Sequence, residues 1–279
     1  MTQILRVIAV LILSCIICQI ISIPVKKGFL TYNKHEISKN REVFENNTAY
    51  DVLFIGSSRA HKMIYPKIID SICNVSSYNA GSDGGKMVEF KMSLEGYLKH
   101  HPAPKSVVFT IDLFSFLKRE GVFNYPVYYP FIDNEFVYKT LADNGHHVAL
   151  FKMMPFMLMT ELDDYSKENI FRLLAGKGDK IIPDEDLEYK GYMANTDACL
   201  NNFNLKKDKE RMYISDEAAS MLRESIDICR KHNAQIIFTY APAYDSYDQK
   251  NRTNTDSVFK FINDRLIIYN ERTATENNL

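Results

Sequence analysis

Two adjacent serines, Ser57 and Ser58, directly follow an apolar run that ends in Gly56. The run at residues 52–55 predicts a buried strand, and the segment after the serines has helical character. Ser58 is therefore expected where a strand ends and a helix begins. Backbone N–H groups lack partners at such a place, and the helix dipole favours negative charge there. This position suits a nucleophilic oxygen and the oxyanion that acyl transfer creates.

Two later strands also lead to residues of interest. A strand predicted over residues 75–79 precedes Gly81, and a strand predicted over residues 106–111 precedes Asp112. Strands that alternate with helices are typical of a parallel sheet with helices on both faces. Right-handed crossovers place the carboxyl ends of all strands at one edge, so these residues and Ser58 are expected to lie together.

The rest of the chain continues the alternation. Helices are predicted over residues 86–100, 215–232 and 257–263, and strands over residues 234–240 and 266–269. Between the third and fourth strands the pattern changes to an aromatic segment at 125–131 and to helices predicted over residues 135–143, 148–159 and 166–175. The sequence therefore predicts an α/β domain with a helical insertion.

Four motifs occur in order along this α/β pattern. They are VLFIGSSR at residues 52–59, YNAGSDGG at 78–85, VVFTIDLFSF at 107–116 and IIFTYAPAY at 236–244. With these motifs the chain resembles the SGNH (GDSL-like) hydrolase superfamily. More closely, it is similar to the membrane-anchored cell-envelope branch associated with D-alanylation of teichoic acids and O-acetylation of exopolysaccharides. The resemblance implies a three-layer, flavodoxin-like parallel sheet and a serine esterase or acyltransferase ancestry.

The resemblance also implies roles for individual residues. Ser58 matches the family nucleophile, and the backbone N–H groups of Ser58 and Gly81 match two donors of the oxyanion hole. The family's third donor is commonly an asparagine, but Asp112 stands in that place here, and an ionised carboxylate cannot donate to an oxyanion. A structural role for Asp112, or a contact with Arg59, is expected instead. Arg59 is also a candidate for contact with an anionic substrate.

The usual catalytic base is missing from the pattern. Family members carry an Asp-x-x-His motif after the last strand, and no such motif follows residues 266–269. Two interpretations stand: the chain is a C-terminally truncated product, or it is a degenerate enzyme that kept the fold as a binding module. Two other histidines are less suited to act as the base: His146 is spaced from Asp143 as in the motif but lies before the fourth strand, and His61, three residues after Ser58, is expected to point away from the crevice.

The N-terminus differs from the rest of the chain. Residues 7–25 carry no charge and are long enough to cross a hydrocarbon core of roughly 30 Å at about 1.5 Å per residue. An uncleaved transmembrane anchor is expected at residues 1–27, with a cleaved signal peptide as the alternative. A stalk at 28–50 and the SGNH-like domain at 51–279, with its insertion at 112–211, complete the predicted organisation.

The charges beside the apolar run and the family resemblance predict opposite orientations of the protein in the membrane. Arg6 precedes the apolar run and Lys26 and Lys27 follow it, a bias of one positive charge towards a cytoplasmic domain. The resemblance implies the opposite, since the envelope branch faces outward. We expect a single-pass protein of the cell membrane with an extracytoplasmic domain.

The balanced charge of the chain gives no support for a nucleic-acid-binding function. Lys and Arg number 34 against 35 Asp and Glu, so nothing favours nucleic-acid binding. No cofactor or metal is expected. The expected function is acyl-ester hydrolysis or O-acyl transfer on a cell-envelope polysaccharide, with membrane lipid around residues 7–25 and a membrane-bound O-acyltransferase as a partner. The alternative is a catalytically dead, membrane-tethered module that binds a glycan or a partner.

Overall fold

A computed structural model of the chain describes residues 2–29, 34–118, 121–160, 167, 171–172, 175–177, 188–194 and 215–240. The chain divides into two compact units. The anchor unit comprises Met1–Arg41 and Asn124–Pro183, and the sheet unit comprises Glu42–Phe123 and Asp184–Leu279. The predicted helix 257–263 and strand 266–269 lie outside the described residues, as does most of the predicted helix 166–175.

A four-stranded parallel sheet forms the centre of the sheet unit. Its strands are β1 (Val52–Gly56), β2 (Ser77–Asn79), β3 (Ser106–Ile111) and β6 (Gln235–Tyr240), in the order β2-β1-β3-β6. The predicted parallel α/β sheet is therefore confirmed. The two central strands are almost continuously buried, which explains their unbroken apolar sequences.

Helices connect these strands in the expected alternation. They are α3 (Ser58–Met63), α4 (Pro66–Cys73), α5 (Met87–His100) and α8 (Asp216–Lys231). Helix α5 begins where Lys86 N donates a 2.8 Å hydrogen bond to Glu89 Oε2, which satisfies one N–H group at the start of the helix. Helix α8 begins at Ser215, whose side chain accepts from Ala218 N.

A short hairpin extends the sheet unit beyond the main sheet. Its strands are β4 (Glu188–Tyr189) and β5 (Tyr192–Met193), joined through Lys190 and Gly191, which both have positive φ. Lys190 O accepts a 2.9 Å hydrogen bond from the backbone of Asn79, at the end of β2. The hairpin lies within residues 112–211 of the predicted insertion, yet it belongs to the sheet unit.

The anchor unit contains helix α1 (Thr2–Phe29), which is long and apolar enough over Gln3–Pro24 to cross a membrane. A signal sequence would meet the same criterion of length and composition. The unit also holds α6 (Glu135–Asp143), α7 (Val148–Met153) and 3-10 helices at Tyr125–Phe131 and Pro155–Thr160. The helix predicted over residues 148–159 divides before Pro155, because proline cannot donate the hydrogen bond that would continue it.

The segment predicted as a stalk contains a helix. Helix α2 (Lys34–Phe44) forms although its sequence shows no clear apolar periodicity. Ile37, Val43 and Phe44 are buried, and Lys39 is buried with its ammonium 2.6 Å from Glu36 Oε2. Pairing with the carboxylate makes burial of that lysine tolerable, so a polar sequence can form an ordered helix here.

Candidate functional site

The candidate site lies at the carboxyl ends of β1 and β3. In the chain, β1 is followed by β2 on one side and then by β3 on the other, so the strand order reverses at β1. Open parallel sheets bind ligands outside the carboxyl ends of the strands at such a reversal. Gly56 ends β1 here because a Cβ would lie 2.6 Å from Ala60 Cβ and 2.8 Å from Thr110 O. Glycine thus lets α3 pack closely on the sheet.

Ser57 begins α3. It has extended backbone angles, and its hydroxyl oxygen accepts from Arg59 N at 3.4 Å, as an N-cap residue does. The same hydroxyl donates a 2.9 Å hydrogen bond to Asp112 Oδ2. The side chain is buried, so these two bonds fix its position. Ser57, and not Ser58, therefore carries the structural role at the start of the helix.

Asp112 follows β3 and is almost fully buried, with 5% of its surface exposed. Its Oδ1 accepts from both the backbone N–H and the hydroxyl of Ser115, each at 2.8 Å. Its Oδ2 accepts from Ser57 and lies 3.5 Å from Nε of Arg59. Both oxygens are thus occupied by donors, so this carboxylate is not a ready metal ligand, and it links the start of α3 to the end of β3.

Ser58 occupies the first turn of α3 with a half-buried side chain. Among the described residues, none receives a hydrogen bond from its hydroxyl or donates one to it. The capping and carboxylate contacts nearby are taken by Ser57. Of the two serines that start α3, Ser58 is therefore the one whose hydroxyl no described residue engages.

Gly81 lies in the loop after β2, beside α3. A Cβ on it would meet His61 N at 2.7 Å and Ala60 Cβ at 2.9 Å, so this position has room for glycine alone. Its N–H donates a 2.9 Å hydrogen bond to Asn79 Oδ1. To serve as an oxyanion donor, the N–H of Gly81 has to turn from that oxygen towards the substrate.

Asn79 is a site residue that the sequence reasoning missed. It is completely buried, and its Nδ2 donates to Ala60 O and Ile64 O, both at 2.8 Å. Together with the bond from Gly81, this amide joins the end of α3 to the loop after β2. Its position at the last residue of a strand was the available signal, because a buried amide there can satisfy loop carbonyls.

A second polar cluster lies on the same helix. His61 is fully buried, and its Nδ1 lies 3.0 Å from Asp83 Oδ1, while Lys62 Nζ lies 2.9 Å from Asp83 Oδ2. Burial raises the pKa of Asp83, but the hydrogen bonds from His61 and Lys62 outweigh it and hold that pKa well below its ordinary value of 3.8. His61 is thus already bound to a carboxylate in the loop after β2.

Asp83→Asn is expected to lower the free energy of unfolding more at neutral pH than at acid pH. Because the pKa of Asp83 is lowered in the folded state, its carboxylate contributes stability above pH 3.8 that is lost as pH falls through the folded-state value. The midpoint of urea-induced unfolding should therefore differ between wild type and variant by a constant amount near pH 7. This difference should shrink below pH 3.8. Asp227→Asn, at an exposed position of α8, is the matched control and should show no such trend. A difference that is independent of pH would contradict this role.

The other histidines of the sheet unit have distinct surroundings. His100 and His232 are exposed. His101, directly after the end of α5, is buried and stacked on Tyr97 with ring centroids 4.0 Å apart. Its two ring nitrogens each lie 2.7 Å from a backbone carbonyl oxygen, those of Thr48 and Glu42. Within the described part of the sheet unit, no histidine is hydrogen-bonded to Ser58.

The Asp143–His146 pair lies in the anchor unit. Gly145, with φ of +82°, forms the turn between α6 and His146. The His146 ring lies tilted against Tyr125 with centroids 4.0 Å apart, and burial and the neighbouring His147 lower the pKa of His146. The Asp143 side chain is exposed. Asp143 therefore belongs to the end of α6, and His146 belongs to the aromatic contact that follows it.

The sheet edge thus combines an available serine hydroxyl with a buried carboxylate paired to an arginine. Such a set can hold an acyl ester or an anionic group against the end of the sheet. No protein-family model matches this chain, and no curated protein matches it. Function is therefore inferred from the residues at this edge.

Proposed function

We propose that the sheet unit carries an SGNH-type site for acyl-ester hydrolysis or O-acyl transfer, with Ser58 as the nucleophile. The observation that supports it is the position of Ser58. Its hydroxyl lies at the start of α3, at the reversal of strand order, with the structural contacts taken by Ser57. Three of the motifs that resemble the SGNH superfamily contribute residues here: Ser58 and Arg59, Gly81, and Asp112.

The proposed reaction begins with attack of Ser58 Oγ on the acyl carbonyl carbon. The hydroxyl proton passes to a general base as the new C–O bond forms, and the resulting oxyanion is held by the N–H groups of Ser58 and Gly81. The alcohol then leaves with a proton, and water or an acceptor hydroxyl takes the acyl group from Ser58. Serine is a weak nucleophile without a base, so the proposal assigns the base to a group outside the described residues of the sheet unit.

The proposed substrate is an acyl ester of a cell-envelope polysaccharide. Helix α1 would hold the protein in the cell membrane, with the sheet unit on the extracytoplasmic side, where such glycans occur. A membrane-bound O-acyltransferase is the proposed source of acyl groups. Arg59 is half-buried and lies beside Asp112, so it can orient an anionic or strongly polar group of the substrate near Ser58.

Ser58→Ala is expected to abolish labelling by a fluorescent fluorophosphonate, because the reagent traps only a serine whose hydroxyl is activated. The measurement is in-gel fluorescence of the protein in its membranes. Ser71→Ala is the matched control, since Ser71 is an exposed serine of α4, and it should label as the wild type does. Wild-type protein that takes no label under conditions that label a known serine esterase would overturn the enzyme proposal.

The second candidate is a membrane-tethered binding module without catalysis. Two observations favour it: the N–H of Gly81 is bound to Asn79, and the Ser58 hydroxyl has no base among the described residues of the sheet unit. This candidate predicts glycan binding that Ser58→Ala leaves unchanged. Wild-type labelling together with glycan turnover would exclude it.

A further inference from the structure

In the anchor unit, the segment formed by α7 and the following 3-10 helix packs along the C-terminal part of α1. Gln19 Nε2 donates a 3.2 Å hydrogen bond to Met153 O, and Phe156 N donates a 3.2 Å hydrogen bond to Ser22 Oγ. Ser22 also donates to Cys18 O at 2.8 Å. Ser22 is 3% exposed, whereas most of α1 is exposed, so this contact covers one stripe of the helix.

These contacts fix the depth of the segment relative to α1. The apolar span ends at Pro24, and with a rise of about 1.5 Å per residue Ser22 lies about 3 Å and Gln19 about 8 Å inside that end. Interfacial elements of proteins sit about 5–10 Å into the boundary between headgroups and acyl chains. Met153, beside Gln19, therefore lies at this depth when α1 crosses a bilayer, and Phe156, beside Ser22, lies closer to the headgroups.

The large exposed side chains of the segment are apolar, apart from Lys152, whose side chain is half-exposed. Leu150, Met153 and Met154 are exposed, with 68% of the Met153 surface accessible. The opposite face of α7 is different, because Phe151 is buried and packs edge-to-face on Tyr129 at 4.8 Å. Lys152 keeps its ammonium 2.7 Å from Asp133 Oδ1.

We infer that α7 and the start of the 3-10 helix form an interfacial membrane element, in which Leu150, Met153 and Met154 insert among lipid acyl chains. The occupant of this surface is the leaflet at the C-terminal end of α1. Lipid is favoured because the surface is continuous with the exposed apolar face of α1 at the same depth. The inference depends on α1 crossing the bilayer and is independent of any chemistry at Ser58.

The chain contains no tryptophan, so a single introduced tryptophan reports its own surroundings. Met153→Trp in phosphatidylcholine vesicles is expected to emit at shorter wavelength than an aqueous tryptophan. It should also lose most of its emission in lipids brominated near the headgroup end of the acyl chains. Lys139→Trp, at an exposed charged position of α6 in the same unit, is the matched control and should respond to aqueous iodide instead.

Two further variants make the result decisive. Leu11→Trp reports the middle of α1 and should be quenched best by lipids brominated near the middle of the acyl chains. Met154→Trp repeats the test at a neighbouring exposed residue, should Met153→Trp fold poorly. Quenching of both segment variants by iodide and not by brominated lipid would overturn the inference. Failure of lipid to quench Leu11→Trp would also overturn it, since α1 then does not span the bilayer.

Discussion

Asp112→Ala is expected to lower the free energy of unfolding by about 4 kcal/mol, because it leaves two buried hydroxyl donors without an acceptor, weakens a third hydrogen bond and removes an ion-pair partner of Arg59. The two hydroxyls are those of Ser57 and Ser115, and the N–H of Ser115 keeps only its 3.1 Å bond to the backbone oxygen of residue 112. The change also disconnects the start of α3 from the end of β3. The measurement is urea-induced unfolding of the detergent-solubilised protein, followed by far-ultraviolet circular dichroism.

Two further variants complete this test. Asp112→Asn keeps an acceptor for Ser115 but loses the charge, so its cost should be about half that of alanine. Asp227→Ala changes an exposed aspartate of α8 and should stay within about 0.5 kcal/mol of wild type. A cost below about 1 kcal/mol for Asp112→Ala would mean that this carboxylate does not organise the sheet edge.

Asn79→Ala is expected to cost about 3 kcal/mol in the free energy of unfolding, since a fully buried amide that makes three hydrogen bonds is lost. Ile64 O loses the amide as donor, Ala60 O keeps only its bond from Ile64 N, and the N–H of Gly81 loses the amide oxygen that it donates to. The same denaturation measurement applies. Because α3 and the loop after β2 are then no longer joined, fluorophosphonate labelling of Ser58 should fall as well.

The control for this variant is Asn47→Ala, at an exposed position before β1. It should leave both stability and labelling near the wild-type values. A stable Asn79→Ala protein with unchanged labelling would contradict the assignment of Asn79 as the residue that positions the loop.

Strong local patterns predicted the fold well. The strand at residues 106–111 and the helix at 135–143 have the predicted bounds, and the first strand is longer than predicted only by Gly56. Continuous apolar runs identify strands that are buried on both faces, and these strands carry the sheet. The pattern was less informative in α2, where burial of Ile37 and a paired Lys39 depends on tertiary contacts.

The site was predicted less completely, for reasons that individual residues show. Ser57 and Ser58 both suit a helix N-cap, and the choice between them depends on one residue at the end of β1, which sequence patterns do not resolve. No periodic pattern around Asn79 predicts that its amide is buried and hydrogen-bonded to the end of α3. The neighbouring sequence places His101 at a helix end, where side chains are often solvated. In the structure its ring is hydrogen-bonded to the carbonyl groups of Thr48 and Glu42, which are distant in sequence.

The central claim, that Ser58 is an activated nucleophile, is tested most directly by locating the fluorophosphonate adduct. The protein is labelled in its membranes, digested and mapped by peptide mass spectrometry. The account predicts one adduct, on the peptide that contains Ser57 and Ser58, with fragment ions that assign it to Ser58 and with its loss in Ser58→Ala. An adduct on Ser57 or on any other serine, or no adduct on folded wild-type protein, would contradict the account.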